Sequence, residues 1–106
     1  MATGQVPSRT SLDDARAAAR QCVINAIAAV QSVPGGIEQL VGVVRVGAFV
    51  SSDTMFTEQP KVADAASDLL QDVFGKDKNP CRMVYGVASL PLGTPVELEL
   101  IFEVAG

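Results

Sequence analysis

The nine residues Val96-Glu-Leu-Glu-Leu-Ile-Phe-Glu-Val104 alternate as only an extended chain can use. Val96, Leu98, Leu100, Phe102 and Val104 fall on one side, and Glu97, Glu99, Ile101 and Glu103 on the other. A strand with one apolar and one acidic face needs a cover on its apolar side only. Just upstream, Pro91-Leu-Gly-Thr-Pro95 reads as a turn with prolines at both ends. Arg82 to Leu90 is a second strand, weakened by Gly86. Further back, Val43 to Val50 (VVRVGAFV) is apolar at nearly every position, which predicts a strand buried on both faces.

Two helices supply the cover. Ser11 is a good N-cap, and Asp13 and Asp14 follow it in the first turn, where carboxylates complement the helix dipole. Leu12, Ala15, Ala19, Cys22, Val23, Ala26, Ile27, Val30 and Val33 recur at three- and four-residue spacing, and Pro34-Gly35-Gly36 ends the run. A second helix runs from about Thr57 to Phe74, with Pro60 tolerated in its first turn and Gly75 as its C-terminal cap. Val62, Ala66, Leu69 and Val73 form its apolar stripe. Met1 to Thr10 reads as an irregular arm, Ile37 to Leu40 as a short turn and Lys76 to Pro80 as a polar loop. The predicted order is α-β-α-β-β in a single α+β domain over residues 1–106, with both helices on one sheet face.

A chain of 106 residues is near the size where core burial alone is marginal. Its apolar fraction of 48% is high beside 19% charged residues, which suggests that some apolar surface is hidden between subunits. The formal charge of −4 argues against a nucleic-acid partner. No cation cluster offsets it: Lys61, Lys76 and Lys78 are scattered, and Arg16 and Arg20 sit beside Asp13 and Asp14. The absence of histidine leaves no zinc set and no imidazole acid or base, and Cys22 and Cys81 read as two reduced thiols. The polar opening lacks a signal peptide, and no apolar run spans a bilayer, so the cytoplasm is the default compartment.

The remaining chemistry lies with arginine and carboxylates. Arg82 opens a strand, where a guanidinium is a good fork for a small carboxylate, though an ordinary surface arginine fits the spacing as well. Glu97, Glu99 and Glu103 share a strand face, either as a solvated face or with one of them holding a water or a proton in a cleft. Cys22 and Tyr85 read as packing residues, and Asn25 as a backbone partner for a neighbouring loop.

The segment from Arg82 to Val104 (RMVYGVASLPLGTPVELELIFEV) is very similar to the C-terminal signature of the YjgF/RidA family, the reactive-imine deaminases. Upstream, Gln21-Cys-Val-Ile-Asn-Ala-Ile, Gln59-Pro-Lys-Val and Ala66-Ser-Asp-Leu-Leu resemble the same family. The resemblance implies a small mixed sheet (YjgF-like, chorismate-mutase-like) and a homotrimer with clefts between subunits. It implies hydrolysis of 2-imino or enamine acids to 2-keto acids and ammonia, without metal or organic cofactor. Arg82 falls on the family's substrate-carboxylate arginine, Glu97 on the glutamate that positions the attacking water, and Val84 on a site whose backbone amide lies near the carboxylate. The chain resembles a short form, with no match to the two opening strands that bring a tyrosine and a serine to the cleft. A non-catalytic trimeric module that binds a small carboxylate is the alternative. A ribonuclease activity, attributed to some family members, fits poorly with the acidic charge and missing histidine. If the last two strands form a hairpin centred near Gly93, Arg82 pairs with about Val104 and lies roughly 23 Å from Glu97 along the ladder. A site that uses both residues then has to join two chains.

Overall fold

The computed structural model describes residues 5–6, 10–32, 40–53, 55–75 and 80–104. The elements follow the predicted order: α1 (Leu12–Gln31), β1 (Leu40–Ser51), α2 (Gln59–Phe74), β2 (Cys81–Val87), a short 3-10 turn (Pro91–Gly93) and β3 (Val96–Val104). The hydroxyl of Ser11 accepts the Asp14 N–H at 3.1 Å and so caps α1 as expected. Pro60 lies in the first turn of α2, where its missing N–H costs no helical bond. Gly75 ends that helix at φ 102°, a conformation that glycine adopts without a Cβ clash. The Val33–Gly36 helix end, residues 37–39 of the expected Ile37–Leu40 turn and residues 76–79 of the expected Lys76–Pro80 loop lie outside the described residues, and Leu40 belongs to β1 instead of a turn.

The sheet is three-stranded and mixed, with the order β2-β1-β3. β1 pairs parallel with β2, from Arg45↔Cys81 to Ser51↔Val87. It pairs antiparallel with β3, from Leu40↔Val104 to Val50↔Val96, with a register shift between Val43 and Arg45. The hairpin between the last two strands does not form. β2 and β3 flank β1, and their connection passes over its end, where the Ser51 N–H donates to the Pro95 carbonyl at 2.9 Å. The most apolar strand takes the centre, where both of its edges are paired.

Both helices cover one face. Val43, Val46 and Val50 of β1, with Val96 of β3, pack against Ala15, Ala19 and Val23 of α1 and Val62, Ala65, Ala66 and Leu70 of α2. The alanines let the helix backbones come close to the sheet and to each other. The helix stripe differs from the predicted one at its end: Leu70 is buried and Val73 is 51% exposed, because the contact surface follows the twist of the sheet. The two-sided burial predicted for Val43–Val50 is corrected within one protomer. Val46, Ala48 and Val50 are fully buried under the helices, whereas Val44 is 52% exposed and Phe49 lies on the open face. Val6 is also buried: its N–H donates to Ser51, and its carbonyl accepts from Asp53, in a parallel bridge at Ser52.

Candidate functional site

Arg82 is the second residue of the edge strand β2 and lies opposite Val46, so its side chain leaves on the helix-covered face. There it meets α2. Its Nη1 donates to Asp64 Oδ1 at 2.7 Å and to Ser67 Oγ at 3.1 Å. Asp64 and Ser67 are three apart on the helix, so they present adjacent acceptors to one arginine. The arginine side chain is 31% exposed and the aspartate 49%. Pairs exposed to this degree contribute about 0–1 kcal/mol. Among the described residues only Nη1 is engaged, which leaves the Nε–Nη2 edge, itself a complete fork for a carboxylate. Val84 follows two residues later on the same face, opposite Ala48.

Glu97 pairs with Phe49 and is exposed on the other, open face. From Val46 to Phe49 is three residues along β1, and β2 and β3 stand two strand spacings apart, so Arg82 and Glu97 are about 14 Å apart at Cα. The separation is shorter than a hairpin would give, but the side chains leave opposite faces. One protomer does not bring them together.

The open face mixes apolar and charged groups. Phe49 and Tyr85 stack with ring centres 5.3 Å apart and planes 16° apart. Met83 is 40% exposed and Ile101 48%. Arg45 Nε contacts Glu99 Oε1 at 3.4 Å beside them. On the covered side, Cys22, Ala26, Val30, Leu98, Leu100 and Phe102 line an open groove of about 320 Å³ between α1 and β3. Burial pushes the Cys22 thiol above its ordinary value, the nearby Glu97 carboxylate pushes it further, and a hydrogen bond with the Leu98 backbone opposes both.

A second cleft of about 230 Å³, lined by Ser52, Phe56, Gln59, Gly86 and Val87 among others, lies at the far end of β2. The Gln59 amide donates to the Phe56 carbonyl at 2.9 Å and faces Ser52 Oγ at 3.4 Å. A Cβ on Gly86 would stand 2.6 Å from Gln59 Nε2, so the glycine makes room for the amide. Among the described residues no group of three or more His, Cys, Asp or Glu is placed to hold a metal ion. No helix there is long and apolar enough to cross a membrane.

Sequence reading gives Asp64 no role and meets Ser67 and Gln59 only inside segments that resemble the family. The signal for the first two was their spacing on α2, which acquires meaning only once β2 is known to be the edge strand beneath that helix. In the sequence Gly86 reads as a weak point of a strand and not as a neighbour of Gln59.

Among known proteins, the chain is 37% identical over 102 residues to Protein TCP17 of Trypanosoma cruzi, covering 95% of the chain and 64% of that protein. It therefore spans less than two thirds of that relative's length. The protein Atu1372 of unknown function from Agrobacterium tumefaciens superposes with a TM-score of 0.89 at 33% identity, over 96% of this chain and 66% of that one. A "putative endoribonuclease" from Shewanella oneidensis also superposes with a TM-score of 0.89, at 27% identity, over 98% of this chain and 69% of that one. Residues 1–104 match the family described as "YjgF/chorismate_mutase-like, putative endoribonuclease", and the chain belongs to that family.

Proposed function

We propose that the protein hydrolyses reactive 2-imino or enamine acids to 2-keto acids and ammonia in clefts between the subunits of a homotrimer. The observation that carries this reading is the Nε–Nη2 edge of Arg82 at a strand edge, unengaged among the described residues, with Glu97 displayed on the opposite face. Two groups so arranged meet around one small molecule only when a second protomer contributes. Tyr85, stacked on the half-buried Phe49, supplies apolar surface for that contact together with Met83 and Ile101.

In the proposed site Arg82 holds the substrate carboxylate, and the backbone amide of Val84 lies near it. Glu97 of the neighbouring protomer orients a water molecule and takes its proton as the oxygen adds to the C=N carbon. The proton then passes to nitrogen, and as the C–N bond breaks and ammonia leaves, the hydroxyl gives its remaining proton to the same carboxylate and becomes the carbonyl. The carbon keeps its oxidation state, so the step needs no redox cofactor.

An endoribonuclease, the activity in the family description, is less well supported. The chain carries −4 and has no histidine, and Arg82 is already paired with Asp64. Ammonia release from imines generated in situ by an amino-acid oxidase tests the proposal. Wild-type protein should accelerate it, and Arg82→Ala should lose that acceleration by roughly a hundredfold or more, as for other groups that position a reacting substrate. An unchanged rate in Arg82→Ala sinks the assignment. Calorimetric binding of 2-oxobutyrate without ammonia release would instead make the protein a non-catalytic carboxylate-binding module.

A further inference from the structure

We propose that Asp64 determines specificity by charge, favouring ligands whose nitrogen is protonated and weakening the hold of Arg82 on the neutral-carbonyl product. This inference rests on the reading of Arg82 as the carboxylate fork.

Arg82 is held from α2 by two acceptors of different kinds. Ser67 Oγ at 3.1 Å fixes the guanidinium without charge, and Asp64 Oδ1 at 2.7 Å fixes it with a full negative charge. Positioning alone does not require the charge, because a neutral acceptor at position 64 offers the same hydrogen bond. The charge has a further effect. A carboxylate bound on the Nε–Nη2 edge becomes the second anion on a single cation, and the two anions repel across the width of the guanidinium. A 2-keto acid carries nothing to offset that repulsion. A protonated 2-imino acid carries a positive nitrogen one bond from the carbon that bears its carboxylate. The site formed by Arg82 and Asp64 therefore matches the zwitterionic substrate and is mismatched to the anionic product. With side chains 31% and 49% exposed, both groups are open to a solute. Solvent screening at that exposure makes the effect moderate in size.

The test is Asp64→Asn, which keeps an acceptor oxygen at the same place and removes only the charge. Two constants are measured on the full-length protein: the inhibition constant of 2-oxobutyrate, and the KM for 2-iminobutyrate in ammonia release. The expected result is divergence. 2-Oxobutyrate should inhibit about two- to fivefold more tightly, while the KM for the imine rises or stays level, the size following from a partly exposed charge pair. Glu58→Gln removes the same unit of charge from the start of the same helix and should move neither constant. Parallel shifts of both constants in Asp64→Asn, or no shift in either, overturn the charge-selection role while Arg82 keeps its own. Absence of ammonia release by the wild-type protein overturns the hydrolase reading and the selection of substrate over product with it, whereas absence of 2-oxobutyrate binding overturns the Arg82 reading itself.

Discussion

Gly86 and Gln59 are two residues whose roles depend on each other. A Cβ at position 86 would sit 2.6 Å from the Gln59 amide nitrogen. The obstacle is the end of a flexible side chain, so the amide can swing away, but it then loses its 2.9 Å bond to the Phe56 carbonyl. Gly86→Ala is expected to destabilise the protein by about 1 kcal/mol, the usual net value of one such bond. In a Gln59→Ala background the same substitution should be neutral or slightly stabilising, because the clash is gone and alanine restricts the unfolded chain more than glycine does. Urea denaturation of the four proteins in the cycle measures this coupling, and additive effects would show that the two side chains do not meet. At this scale the sequence told less than at any other. The roles proposed for Arg82, Glu97 and Val84 come from likeness to a family signature, which says nothing of the partners that hold Arg82. Asp64 and Ser67 look like ordinary polar positions on a helix until the strand beneath them is known.

The contact between α1 and β3 is where element packing becomes visible to solution chemistry. Cys22 faces the groove along Leu98 and Leu100, and its thiol holds its proton above the ordinary value of 9.0 because burial, and secondarily Glu97, disfavour the thiolate. A raised folded-state value means that the native protein binds this proton more tightly than the unfolded chain. That part of the stability is complete below pH 9.0 and is lost as the pH rises from there through the folded value. Compared with Cys22→Ala, the wild-type protein should therefore show a steeper fall in urea midpoint as the pH rises above 9.0. Parallel curves would mean that the thiol is not withdrawn from solvent when α1 docks. The elements themselves were readable: periods of two and of three to four residues, a serine cap and a proline in a first turn are local signals. Strand pairing was not, because a chain with two strands after α2 can close them as a hairpin or split them around β1. The apolar run of β1, which demands partners on both edges, favours the split, and that demand is a property of the whole sheet.

For the whole molecule, the open sheet face decides the proposed assembly. Ile101 is 48% exposed there, so a glutamate at 101 is solvated in the lone protomer and desolvated only if that face is covered. Ile101→Glu should leave the circular dichroism spectrum and the cooperative unfolding intact. It should convert the proposed trimer to a monomer in sedimentation velocity and abolish ammonia release with it. A variant that remains trimeric would place the subunit contact on another face.

The central place of β1 also bears on how the chain fares during its synthesis. Leu40–Ser51 leaves the ribosome before either strand that will flank it, and the later one, Val96–Val104, lies about fifty residues downstream. At roughly 5–20 residues per second, a β-branched ribbon with both edges open waits for several seconds. Throughout that interval Arg45 is the only charge between positions 40 and 52, and so the only gatekeeper against pairing with a neighbouring nascent chain. The arrangement that protects this segment best once folded leaves it most vulnerable beforehand, and crowding on a polysome or a heat shock is where that cost would appear.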